Sequence, residues 1–261
     1  MPFYQEGSIK YYKFLSLENQ GLYHALFTRH GGLSPSPWKS LNFGASVGDD
    51  VKRVIQNREK AMAVLQLKTE NVYDTFQIHS TEIVLTDRPL PPNEIHIKAD
   101  AIITNKPNVT LMMRFADCVP ILLFDPVNRV IGISHAGWKG TVYKIAGKTV
   151  LKMNQNYGTN PNHVLAAIGP SIGPDHYSIG NDVIEKVNLS FGDKAEQLII
   201  YDHGKTFFDL WRANQVILNE IGVYKIEVAG ICTNCNMNDW YSHRGEHGKT
   251  GRFGVVIGLC V

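Results

Sequence analysis

The stretch 116–138, ADCVPILLFDPVNRVIGISHAGW, constrains the fold more than any other part of this 261-residue chain. Two apolar runs, each too short for a helix, flank the break DPVN. Asp125 suits the first position of a β-turn and Pro126 the second, so the stretch predicts a hairpin with strands over 119–124 and 130–134. With the turn centred between Pro126 and Val127, Cys118 opposes His135 at the open end, their Cα atoms roughly 4.5–5.5 Å apart. Gly137 and Gly140 then let the chain turn away before a helical pattern begins.

A thiol facing an imidazole at a strand end has three readings. It is a buried core pair, a cysteine nucleophile with a histidine base, or two ligands of a metal. A catalytic zinc site takes three protein ligands and leaves a fourth position open. DTFQIHSTEIV supplies a third candidate, because His79 ends one apolar run and precedes another and so reaches a sheet end as His135 does.

Further strands are expected over 22–28, 72–78, 82–86, 99–104, 110–115, 164–168, 226–229 and 253–259. Helical periodicity marks 51–65, 141–155 and 209–221. Strands dominate the middle of the chain without strict β-α-β alternation. That pattern predicts an α+β fold with mixed or antiparallel sheets, not a Rossmann-type fold. Neither a G-x-G-x-x-G nor a P-loop motif is present. The densest breaker cluster, RPLPPNE over 88–94, reads as a loop between strands, so one domain is expected over residues 1–261.

A net charge of +2 gives no footprint for nucleic acid or an anionic membrane, and no apolar run reaches the length of a membrane span. The N-terminal residues lack a secretory pattern, and four cysteines are too few and too unevenly placed for a disulfide framework. A cytoplasmic location follows as the expectation.

Several polar residues break the apolar pattern. Arg58 falls on the face of the 51–65 helix that carries Val51, Val54, Ile55, Ala61, Met62 and Leu65. Such an arginine either snorkels to the edge or is buried against an acceptor. Arg29, in FTRHGG, follows a strand and precedes a Gly-Gly turn. The loop 232–254 gathers Arg244, Lys249, Arg252, two histidines and four glycines, either as a solvated basic loop or as a cradle for phosphate. Within it, Cys232-x-x-Cys235 reads as two buried thiols, a zinc half-site or a redox pair.

The motifs FTRHGGLS, SLNFGASVGDD, QIHS, ADA, ADCVPILL, SHAGWKGT, AAIGPSIG and SHRGEHGKTGR occur in the order of the laccase-domain family. The chain resembles that family over about residues 22–258. The family was first called multicopper polyphenol oxidase and later described as purine nucleoside phosphorylases. The resemblance implies mixed sheets in a layered αββα arrangement and a zinc site at His79, Cys118 and His135, with copper as the other candidate metal. It further implies phosphorolysis of adenosine, inosine and methylthioadenosine, and deamination of adenosine. The expected partners are therefore purine nucleosides and phosphate. Arg29, Asn42, Arg58 and Arg244 match polar positions expected to line the substrate pocket.

There are three departures from the family pattern: Lys139 in place of an arginine, Gly245 in place of a second arginine, and the Asp175-His176 pair in a variable segment. The rival functions are a copper-dependent polyphenol oxidase and a metal-free cysteine hydrolase using Cys118 and His135. No H-x-H pair is present, which disfavours a multicopper cluster.

Overall fold

The computed structural model describes residues 2–91 and 94–260; part of the loop expected over 88–94 lies outside them. The chain opens with β1 (Phe3–Glu6), β2 (Ile9–Tyr12) and β3 (Leu22–Phe27), followed by α1 (Val51–Val64). Next come β4 (Val72–Asp74), β5 (Ile83–Leu85), β6 (Ala101–Thr104) and β7 (Thr110–Phe115). The predicted hairpin is β8 (Val119–Asp125) and β9 (Val130–Ala136), leading into α2 (Trp138–Val142) and α3 (Ile145–Tyr157). The remainder is β10 (Leu165–Ile168), α4 (Asn181–Phe191), β11 (Ile199–Asp202), β12 (Lys205–Phe208), α5 (Leu210–Glu220), β13 (Lys225–Val228) and β14 (Phe253–Leu259).

Two six-stranded sheets carry the fold, ordered β1-β2-β3-β14-β7-β4 and β13-β10-β8-β9-β6-β5, beside the small β11-β12 hairpin. Both large sheets are mixed: β4 runs parallel to β7, β5 to β6 and β13 to β10, and the other pairs are antiparallel. Side-chain alternation sorts the core into three layers. Leu122, Phe124, Ile131 and Ile133 of one sheet meet Leu111, Met113, Val255 and Ile257 of the other. Val119, Ile121 and Leu123 turn to the opposite face, against Ile145, Val150 and Ile217 of the helices. Ala25, Phe27 and Val256 pack outward on Ala61 and Met62 of α1. The order is α1, sheet, sheet, remaining helices, which is the expected αββα layering. Strands buried on both faces read as continuous apolar runs, which is why β8, β9 and β14 are so legible in the sequence.

Three sequence expectations need correction. In the hairpin, His135 pairs with Pro120 rather than Cys118. The loop holds four residues because Asp125 pairs with Val130, and its Oδ1 accepts the amides of Val127 and Asn128 at 2.9 and 3.2 Å. The slip is two residues, an even number, so Cys118 still lies on the face that carries His135. The 141–155 helix is two helices: Lys144 adopts φ 60°, ending the continuity between α2 and α3. The strand expected over 72–78 stops at Asp74, with only a bridge from Phe76 to Lys98 beyond it.

His24 lies on the inter-sheet face of β3 between Leu22 and Leu26, where its Nε2 accepts the Phe14 amide at 2.8 Å. Burial, helped by the Lys13 charge, pushes its pKa down to about 3. An unfolded histidine binds a proton near pH 6.5 that the folded one refuses, so this position favours the native state above pH 6.5 and loses that contribution as pH falls toward 3. The expected slope is about 1.4 kcal/mol per pH unit. Urea unfolding of the wild type and His24→Gln at pH 4, 5 and 6 checks it: the wild-type slope should be steeper by about one proton.

A candidate metal centre where the two sheets open

Asp100 organises the site from beneath. It is fully buried just before β6, and the loop 78–80 wraps its carboxylate. The Ile78, His79 and Ser80 amides donate to it at 3.2, 3.0 and 2.6 Å, and the Ser80 hydroxyl at 2.8 Å. Successive amides closing on one anion form a nest, and His79 takes φ 59° within it. Oδ1 of Asp100 also holds His135 Nδ1 at 2.8 Å, while its backbone carbonyl accepts the His135 amide at 2.7 Å. A carboxylate on Nδ1 sets the tautomer and leaves Nε2 free to act as a ligand or base.

His79, Cys118 and His135 meet above this support. One ligand atom from each lies within 4.8 Å of the others, and Cys118 Sγ is 3.7 Å from His79 Nε2. The two imidazole rings stand edge to face at 4.8 Å. Burial opposes charge here, but the His135 imidazolium and the His79 hydrogen bond outweigh it and bring the Cys118 thiol down to about 6. His135 rises to about 9 against its own burial, held up by the Cys118 charge and Asp100. Burial likewise opposes charge at Asp100, yet the His135 and Ser80 contacts take it down to about 2. A thiolate and two imidazoles make a suitable donor set for zinc or copper, and zinc would space such donors about 3.3–3.8 Å apart.

Gly137 leaves room for this meeting. A Cβ there would stand 2.9 Å from Cys118 Sγ and 3.0 Å from His79 Cδ2. Gly137→Ala is therefore expected to push the donors apart and lower metal affinity and turnover by about 10-fold or more, the scale at which a disturbed ligand set is felt. Metal content and turnover of the folded variant measure it.

The four residues matched to the substrate pocket are placed unequally. Arg244 borders the centre: its amide donates to Asp117, next to Cys118, at 2.6 Å, and its guanidinium spans Ser178 and the face of Tyr177. Arg29 is spent on the loops, donating to Lys39, Met237 and Glu246 while stacking on Tyr241. Asn42 is fully buried, and its Oδ1 accepts the Arg252 amide at 2.9 Å. Arg58 donates to the Phe43 carbonyl and faces Asp74, with which it borders a cavity that includes His96 and Met112. Burial and the Arg114 charge lower its pKa to about 10, with Asp74 opposing. Asp74 also pairs with Arg114, which bonds Gln77 two residues before His79. Arg29, Asn42 and Arg58 thus reach the centre through intermediaries.

Asp100, Asp117 and Tyr177 were not singled out by sequence as site residues, and Arg252 was named only within the candidate phosphate loop. Asp117 takes φ 77° and accepts from both Thr233 and Arg244, tying three segments at the entry to β8. Arg252, on the loop that carries Arg244, donates from Nη1 to the Thr250 and Gly251 carbonyls at 3.3 and 2.8 Å, and burial lowers its pKa against the Cys118 and Asp117 charges. Of the departures from the family pattern, Lys139 is exposed and lies over Trp138, which packs on the helix side. At Gly245 a Cβ would meet Asn234 Oδ1 at 2.3 Å and Met237 Sδ at 2.6 Å, so a larger residue there requires these two side chains to move.

Residues 23–260 match the family described as multi-copper polyphenol oxidoreductase laccase, and the chain belongs to that family. It is 36% identical over 245 residues to a purine nucleoside phosphorylase of Deinococcus radiodurans, covering 94% of this chain and 92% of that one. It is also 36% identical to the purine nucleoside phosphorylase YlmD of Bacillus subtilis, over 89% of this chain and 86% of the relative. The crystal structure of YlmD from Geobacillus stearothermophilus superposes with a TM-score of 0.91 at 31% identity, covering 100% of this chain and 99% of that one.

Proposed function

We propose that this chain is a metal-dependent purine nucleoside phosphorylase that splits inosine, adenosine and methylthioadenosine and also deaminates adenosine. The observation that carries the reading is the convergence of His79, Cys118 and His135 over the buried Asp100 carboxylate, with Arg244 tied beside them through Asp117. The names of the relatives support the reaction class. Zinc held by the three side chains would supply a Lewis acid for charge that develops on the substrate, with copper as the other candidate.

In phosphorolysis a phosphate oxygen bonds to C1′ of the ribose as the C1′–N9 bond breaks, and the base leaves with the electron pair and gains a proton. The chain must hold a phosphate anion against C1′ and stabilise the departing base. Arg244, tied to Asp117 beside Cys118, and Arg252 on the same loop would serve that phosphate, which an arginine fork suits. Tyr177 carries the Arg244 guanidinium over its ring and so helps to hold it in place. Arg29 holds Glu246, and Asn42 holds the Arg252 amide, so both act as positioning residues for the loop that carries the two arginines. Arg58 acts on the Gln77–His79 segment through Asp74 and Arg114. In deamination, water displaces the C6 amino group as ammonia.

One observation favours a second reading. Cys118, His135 and Asp100 also form a nucleophile, base and orienting carboxylate, as a metal-free cysteine hydrolase requires. A chelator separates the two. The metal-dependent enzyme loses turnover on chelation and regains it with zinc or copper. Turnover that survives full metal removal and stops on alkylation of Cys118 would establish the hydrolase. Mass spectrometry of adenosine products, with and without phosphate, reports the deaminase activity: inosine should accumulate, and its absence would remove that activity from the proposal.

A further inference from the structure

The half-site Cys232-x-x-Cys235 finds its other half in an adjacent pair of residues on a different segment. Asp175 and His176 lie in the turn after β10, where the His176 amide donates to the Gly173 carbonyl at 3.0 Å. The two segments run side by side: Ser171 bridges Cys232, and the Thr233 amide donates to the Ser171 carbonyl at 3.0 Å. This alignment gathers one donor atom from each of Asp175, His176, Cys232 and Cys235 within 4.8 Å of one another. His176 Nδ1 is 3.4 Å from Cys235 Sγ and 3.8 Å from Cys232 Sγ. Asp175 Oδ2 is 3.3 Å from Cys235 Sγ and 2.9 Å from His176 Nδ1. The edges of a zinc tetrahedron with thiolate, imidazole and carboxylate ligands span about 3.3–3.8 Å; the three separations that involve sulfur match them, and the 2.9 Å Asp175–His176 contact would open by about 0.4 Å around a common metal.

We propose that Asp175, His176, Cys232 and Cys235 form a second metal site, distinct from the Cys118 centre, that binds zinc as a closed four-ligand structural site. The backbone is arranged for a thiolate at Cys232. Its sulfur accepts the Gly173 amide at 3.2 Å and the Cys235 amide at 3.5 Å, and such amide donors stabilise a thiolate ligand. Gly173 permits the approach: a Cβ there would lie 2.6 Å from Asp175 Oδ1 and 3.0 Å from Cys232 Cβ. Two sulfurs and an imidazole select zinc over magnesium or calcium, which take oxygen ligands. Four protein donors leave no open position, so the site holds structure. What it holds is the wall of the first centre. Tyr177 and Ser178 follow His176 directly and carry the Arg244 side chain, while Thr233 lies between the two cysteines and bonds Asp117. A zinc clamp would therefore fix both sides of the arginine's seat.

Zinc stoichiometry of the full chain tests the site without any nucleoside. The protein is stripped of metal under reducing conditions and zinc is titrated back against a chromophoric competitor. Wild type should bind two zinc ions per chain. Cys235→Ser and His176→Gln should each bind one, and Cys118→Ala should also bind one, retained at the second site. Cys235 is exposed, so its serine variant should keep the fold, which circular dichroism checks. A single zinc in wild type that Cys118→Ala abolishes would overturn the proposal. So would a Cys232–Cys235 disulfide in freshly purified protein, seen as a mass deficit of two hydrogens. Because the two centres are counted separately, failure here leaves the reading of the Cys118 centre to its own test.

Discussion

Cys118→Ala is expected to abolish phosphorolysis while leaving the fold in place. Its loss should exceed the roughly 10–100-fold that removal of an orienting partner costs, because the residue is itself a proposed ligand. The fold should survive because Cys118 precedes β8 and is only partly buried, and the core contacts of Leu122 and Phe124 do not depend on it. The measurement pairs turnover with inosine and phosphate against circular dichroism and bound metal. Loss of folding would assign Cys118 a structural role, and retained turnover would remove it from the chemistry.

Asp100→Asn is the second large effect, and it reaches the centre through other residues. Oδ1 serves the His79 amide and His135 Nδ1, and Oδ2 serves the Ile78 and Ser80 amides and the Ser80 hydroxyl. Asparagine keeps the shape but has one acceptor oxygen, so at least two of these donors lose their partner. Each buried donor left unpaired costs about 1–3 kcal/mol. Metal affinity and turnover should fall about 10–100-fold, as for other partners that orient a ligating histidine. The acid limb of stability should change as well. Asp100 is held near 2, below the ordinary carboxylate value, so its contribution is present above about pH 4 and lost as pH falls through 2. The variant should lack that dependence. Metal titration and acid unfolding of both proteins measure these effects, and unchanged metal affinity would show that Asp100 does not orient the centre.

Much of the architecture was legible because burial on both strand faces produces uninterrupted apolar runs; β7 and β14 match their expected limits residue for residue. The hairpin's face assignment survived a wrong register because side chains alternate with period two. The loop length itself turned on Asp125 capping two amides, a contact that composition alone does not specify. The break at Lys144 was hidden because apolar spacing continues across it while the backbone turns left-handed. α4 was legible in principle, with Val183, Val187 and Phe191 on one face, but its polar flanks masked it. Of the centre, strand ends and the family resemblance both pointed to His79, Cys118 and His135. The supporting Asp100 was visible as a charged residue entering an apolar strand and as part of the ADA motif, but its role was not, since wrapping by three amides is a property of the folded loop. The same holds for Asp175 and His176, whose relation to Cys232 and Cys235 exists only once β10 and the segment after β13 lie together.

Phosphate dependence of inosine cleavage tests the central claim most directly. Metal-quantified protein is incubated with inosine, with and without inorganic phosphate, and the products are followed by ³¹P NMR and mass spectrometry. Hypoxanthine and ribose 1-phosphate should appear in equal amounts with phosphate, and neither should form without it. Hypoxanthine released at the same rate in the absence of phosphate, with free ribose as the other product, would contradict the account.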